Sequence, residues 1–159
     1  MLKPDLKFLL AHPAHFIALG FGSGLSPVAP GTAGTLAAWL LFPLIKPYFS
    51  DAGFLAFLVA AFAVGVFAAN RSGRDLGVAD HGSIVWDEIV PFWLVLLMTP
   101  EGLLWQLAAF FWFRFFDIVK PPPIRQVDRL WKTPFGVMAD DLLAAAYTVL
   151  VVAFWQRFQ

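Results

Sequence analysis

The chain contains no cysteine. Thiol nucleophiles, disulfides and thiolate metal sites are therefore excluded. Charge is scarce: Asp, Glu, Lys and Arg make up 14% of the 159 residues, against about 25% in soluble domains. The 11 basic and 11 acidic side chains cancel, so no global attraction to nucleic acid arises and no nucleic-acid partner is expected. There is no Gly-Lys-Ser/Thr ending to suggest a nucleotide P-loop, and no Asp-x-Asp-x-Thr/Val phosphatase signature. No secretory signal, fixed-period repeat or low-complexity tract is recognised.

What is abundant is apolar surface. Hydrophobic residues make up 60% of the chain and mean hydropathy is +0.73. A core of this size cannot hide so much, so the expected class is an all-α, polytopic membrane helical bundle in one domain, 1–159. Residues 5–21 read as an N-terminal interfacial amphipathic helix, interrupted near Pro13. A Gly/Ser/Thr/Pro-rich loop follows, from Gly22 to Thr35. About five apolar helices are expected at 33–49, 53–69, 84–99, 103–118 and 142–157. Polar segments lie at 70–83 and 120–138, and Asp140 and Asp141 introduce the last helix. A span needs about 20 residues, so the third and fourth helices suffice only if Asp87, Glu88, Arg114 and Asp117 lie inside the bundle. The tryptophans are expected at the lipid interface and within the bundle, and His12 and His15 at the interface.

Alternating five spans puts Lys3, Lys7, Arg71, Arg74, Lys120, Arg125, Arg129 and Lys132 on one side. Lys46 and Arg157 fall on the other. By the positive-inside rule the first side is cytoplasmic. The same side collects Asp87, Glu88, Asp117, Asp140 and Asp141.

A carboxylate at membrane depth is costly, by at least about 2.5 kcal/mol for Asp at a helix centre. Asp87 and Glu88, inside the apolar run 84–98, need something to offset that cost. A divalent metal and a phosphorylated lipid headgroup would do so. Asp87, Asp117, Asp140 and Asp141 are the candidate metal ligands, and Asp87, Glu88, Asp117 and Asp141 the candidate catalytic groups. Oxygen donors suit magnesium, which borrows only a few carboxylates. N-capping accounts for Asp140 equally well; it suits Asp117 poorly, because a helix C-terminus repels an anion. Arg114, Asp117 and Lys120 share one face if their helix continues, which also describes an ordinary ion-paired helix end. Lys120 and Arg125, joined across a stiff triple proline, are candidate phosphate holders. The hydroxyls of Ser23, Ser26 and Thr32 join them, although a capped turn explains that loop as well. Asp75, Asp80 and His81 are either supporting contacts or a solvated loop.

Four stretches in order carry a resemblance: FGSGLSPVAPGT at 21–32, DHGSIVWDEIV at 80–90, FRFFDIVKPPPIR at 113–125 with Asp128, and GVMADDL at 136–142. Together the sequence resembles the bacterial phosphatidylglycerophosphatase A family. The resemblance implies a magnesium-dependent, multi-pass phosphatase of the bacterial inner membrane with a cytoplasm-facing site. Phosphatidylglycerophosphate is the implied lipid substrate, phosphatidylglycerol and phosphate the products. Carried over by motif, Asp87, Glu88, Asp117, Lys120, Arg125, Asp140 and Asp141 are the residues expected to matter. One departure is Pro91, where glycine is expected: proline removes an N–H and pushes away the carbonyl of Asp87. In the expected chemistry Glu88 activates water for attack on phosphorus, and an aspartyl-phosphate intermediate stays open. The rival readings are a small membrane transporter or ion-conducting bundle, and a non-enzymatic assembly subunit.

Overall fold

A computed structural model describes residues 3–131 and 133–158, so Lys132 lies outside the described residues. Among the described residues the regular elements are all helical. They are the α-helices α1 (Leu6–Ala11), α2 (Pro13–Ala18), α3 (Pro30–Ile45), α4 (Asp51–Leu76), α5 (Trp86–Met98), α6 (Leu103–Val119), α7 (Ile124–Leu130) and α8 (Pro134–Gln156), with 3-10 helices at Gly20–Leu25 and Lys46–Tyr48.

The organising element is α5. It packs against α3, α4, α6 and α8 and buries nine of its residues, including Ile89, Phe92, Trp93 and Val95. Its 13 residues make about 20 Å of helix, shorter than a bilayer core. The helix runs unbroken through Pro91. Two indoles lock it to its neighbours: Trp86 Nε1 donates to the Ala61 carbonyl at 2.9 Å and Trp93 Nε1 to the Ala38 carbonyl at 2.8 Å. These two tryptophans belong to the bundle interior, since a buried indole needs an acceptor and the helical carbonyls supply one.

Short connections at 46–50 and 99–102 force neighbours to alternate in direction. One end of the bundle therefore gathers the start of α3, the end of α4, the start of α5, the end of α6 and the start of α8. Two helices, α4 and α8, are long and apolar enough to cross a membrane. The other apolar helices fall short of that length.

Several boundaries differ from the sequence expectation. The first apolar helix begins at Pro30, a favoured first-turn residue, so the expected loop yields its second half to α3. The second extends to Leu76: no proline interrupts 70–76, Arg71 pairs with Asp75 one turn on at 2.9 Å, and Gly77 closes the helix at φ 76°. The last begins at Pro134, where Thr133 accepts the Gly136 N–H as N-cap. Asp140 and Asp141 thus lie on the second turn of α8 and cap nothing.

The expected N-terminal helix is two short helices broken at His12–Pro13. His15 is not an interfacial residue: it is buried, its ring nitrogens 2.9 Å from the Phe8 carbonyl and from Asp75 Oδ2. The pair buttresses the segment leading into α5. Ile84 packs with Leu9, Ala18 and Leu19, and Val85 N–H donates to the Ala18 carbonyl at 2.9 Å.

Candidate active site

The gathered helix ends enclose a cavity of about 170 Å³ lined by Asp80, Gly82, Ile84, Asp87, Glu88, Asp117, Lys120, Val137, Asp140 and Asp141. Each acid arrives for a local reason. Asp87 and Glu88 occupy the first turn of α5, where the positive end of the helix dipole favours anions. Asp117 is on the last turn of α6, an unfavourable place for an anion that requires a local cation. Asp140 and Asp141 face inward from α8 and are 3% and 4% exposed.

That cation is Arg114, one turn back on α6. Its Nη1 lies 2.6 Å from Asp117 Oδ2 and 2.9 Å from Glu88 Oε1. The second cation, Lys120, leaves α6 through a left-handed C-cap, φ 47°. This conformation costs a non-glycine residue about 1 kcal/mol and turns the side chain toward α8. Its Nζ donates to Asp140 Oδ2 at 2.5 Å and to Asp128 Oδ1 at 2.9 Å. Burial would lower the pKa of this ammonium, but Asp140 and Asp128 more than offset that and hold it above the ordinary lysine value.

The carboxylates therefore differ. Glu88, Asp117 and Asp140 each have a cationic partner, whereas among the described residues Asp87 and Asp141 form no ion pair. Asp87 Oδ1 accepts the neighbouring Glu88 N–H at 3.1 Å. Two buried carboxyl groups without counter-ions beside three offset ones can all be ionised only if a cation joins them. All donors are hard oxygens, which fits magnesium. Among the described residues no three acidic or histidine side chains form a ready metal cage. Magnesium does not demand one, since it usually keeps waters and takes one or two carboxylates with substrate phosphate.

Helix α3 packs closely on Glu88 and Val85. A Cβ on Gly31 would overlap the Glu88 carboxylate, and one on Gly34 would lie 2.7 Å from Val85 Cβ. Glu88 Oε2 and Arg114 Nε are buried there with no hydrogen-bond partner among the described residues.

Of the residues expected from sequence, Asp87, Glu88, Asp117, Lys120, Asp140 and Asp141 come together. Ser23, Ser26, Thr32 and Arg125 do not line this cavity. Ser23 and Ser26 spend their hydroxyls on the Gly20 and Val28 carbonyls, both at 2.8 Å. Thr32 lines a separate groove between α3 and α6. Arg125 is exposed on α7 and donates to the Val119 carbonyl at 3.4 Å. Sequence reasoning misses the reach of Arg114 to Glu88 on another helix. Its signal is an arginine inside an apolar run, which a buried counter-charge explains.

A family model described as phosphatidylglycerophosphatase A matches residues 16–156. A relative from Haemophilus influenzae named phosphatidylglycerophosphatase A is 48% identical over 94% of this chain and 93% of its own length. One of the same name from Escherichia coli is 38% identical over 96% of this chain and 87% of its own. A protein from Bacteroides thetaiotaomicron named putative phosphatidylinositol-3-phosphatase is 41% identical over 86% and 89%. No solved structure matches. With a family model matched along most of its length and two relatives of that name aligned nearly end to end, the chain belongs to the phosphatidylglycerophosphatase A family.

Proposed function

We propose that the acidic cavity hydrolyses the terminal phosphomonoester of phosphatidylglycerophosphate, with magnesium, giving phosphatidylglycerol and inorganic phosphate. The observation that carries this reading is the meeting, in one cavity, of Asp87 and Asp141 without counter-ions and the Lys120 ammonium.

In this reading Lys120 grips the phosphoryl oxygens and draws away developing negative charge. Asp87 and Asp141 would hold the magnesium ion, with Asp117 and Asp140 beside them; when bound, the ion polarises the phosphoryl oxygens and neutralises charge in the transition state. Water attacks phosphorus in line, the bond from phosphorus to the glycerol oxygen breaks, and the proton that the water gives up to a cavity carboxylate is passed on to the leaving oxygen, which ends as a hydroxyl. The water proton passes to a cavity carboxylate. Glu88 is poorly suited to that step, because Oε1 is held by Arg114 and Oε2 sits against Gly34. Asp87 and Asp141 are the better acceptors, each through the carboxylate oxygen that the ion leaves free.

The lipid substrate implies a membrane setting. We place the protein in the bacterial inner membrane as a polytopic bundle with the cavity facing the cytoplasm. Supporting this are the two long apolar helices and the exposed apolar flanks of the shorter ones, such as Leu40, Leu44, Phe111 and Ile118. So is the crowding of basic residues at the cavity end. An ion-conducting bundle would need ionisable groups along its depth, whereas the buried acids lie at one end.

The test is phosphate release from phosphatidylglycerophosphate by the purified protein, with magnesium and with chelator. Release that needs magnesium and is abolished in Asp87→Asn is expected. No release, or release unchanged in that variant, would overturn the assignment.

A further inference from the structure

A second cavity has no role in the chemistry above. It is a groove of about 290 Å³ between α4, α5 and α8 with a wholly apolar lining. On α5 it is lined by Val90 and Leu94, and on α8 by Leu142. Val90 is one turn along α5 from Asp87, and Leu142 directly follows Asp141. Along α5 and α8, the groove's lining thus starts within one turn of the two acids without counter-ions, although the two cavities share no lining residue.

The third wall is a stripe on α4 comprising Leu55, Val59 and Phe62. Their spacing by helical turns keeps them on one face. From Leu55 to Phe62 the wall runs about 10 Å. The bond from Trp86 Nε1 to the Ala61 carbonyl sets the approximate height: the residue before Asp87 lies within an indole's reach of the one before Phe62. The groove thus leads from the level of the acids toward the opposite end of the bundle. Val59 is 71% exposed, so the groove opens sideways.

We propose that this groove is the subsite for one acyl chain of the lipid whose phosphomonoester enters the acidic cavity. The inference rests on the proposed function and adds where the substrate's tail lies. Nearness to the acids along α5 and α8 is the first argument. The second is that the α3–α6 groove is obstructed: Arg114 lines it and is committed to Glu88 and Asp117, and so stands between that groove and the acids. The α4–α5–α8 groove has no charged residue in its lining.

The experiment compares dipalmitoyl phosphatidylglycerophosphate in nanodiscs with its water-soluble deacylated headgroup. Val59→Trp and Leu94→Trp fill the groove from its outer lip and its floor. In both, the ratio of kcat/KM for the palmitoyl lipid to that for the headgroup should fall by about tenfold or more. An unchanged ratio overturns the inference, including a case where both substrates slow equally. A second measurement needs no turnover and uses the wild-type protein. Phosphatidylglycerophosphate with a diazirine in its acyl chain should label α4 and α5 peptides more than phosphatidylcholine with the same label. Equal labelling overturns the inference. Absence of phosphate release from either substrate, with selective labelling retained, would refute the phosphatase reading and leave the lipid subsite standing.

Discussion

The Arg114 guanidinium reaches Asp117 Oδ2 at 2.6 Å on its own helix, and from the same Nη1 reaches Glu88 Oε1 on α5 at 2.9 Å. Both side chains of the Arg114–Asp117 pair are largely buried, 14% and 11% exposed. One cation thus supports two acids from two helices.

Removing that cation leaves two buried carboxylates unpaired. Arg114→Met should lower stability by about 3 kcal/mol, read by thermal unfolding in detergent. Adding Glu88→Gln to Arg114→Met should recover part of the loss, because one of the stranded charges is gone. A double variant no more stable than the single one would show that packing, not charge, is what Arg114 supplies.

Asp87 and Asp141 predict the opposite relation between stability and activity. Neither has a counter-ion among the described residues, and each sits among like charges. Asp87→Asn and Asp141→Asn should therefore unfold at the same temperature as the wild type or higher, as repulsion is relieved. Phosphate release should fall by about a hundredfold or more. Parallel assays of melting and turnover on the same preparations separate this from simple misfolding.

Lys120 predicts a flat pH response. Its folded-state pKa is raised above the ordinary 10.5 by Asp140 and Asp128, against the opposing effect of burial. A raised basic group stabilises fully below the unfolded pKa and loses that contribution only as pH rises through the folded value. The melting-temperature deficit of Lys120→Met should therefore be constant from about pH 6 to about pH 9, since both limits lie below the lysine range. A deficit that shrinks across that window would mean the ammonium is already titrating there.

Gly31 tests the close approach of α3. A methyl group at that position would overlap the Glu88 carboxylate. Gly31→Ala should cost about 1–3 kcal/mol through overpacking and lower turnover by displacing Glu88 and, through Arg114, Asp117. Urea unfolding and phosphate release measure the two effects. An unperturbed protein would mean that Glu88 has room to move.

Much of the site is legible in the amino-acid order. Acids inside apolar runs are expensive wherever they are buried, so Asp87, Glu88 and Asp117 mark themselves by composition alone. The helix around each follows from spacing and from turn residues such as Pro100 and Gly102. The ends of helices are less legible. Asp140 and Asp141 read as a helix start because polar residues precede them, yet Thr133 and Pro134 begin that helix. Arg71 and Arg74 read as loop, yet α4 carries them because an ion pair and a glycine cap extend it. Ser23 and Ser26 read as phosphate donors. A hydroxyl's partner depends on which carbonyl the backbone turn brings near, and here those are Gly20 and Val28.

Composition and local spacing are thus enough to make the chain helical, strongly apolar and supplied with more buried acids than a passive bundle needs. Those properties are sums over residues and short periods. Which acids keep a counter-ion is settled by packing instead. Pairing depends on distances between helices: Arg114 is one turn from Asp117 in sequence, but 26 positions separate it from Glu88. Packing of α6 and α3 around α5 brings that second acid within reach, and the same packing leaves Asp87 and Asp141 without a cation.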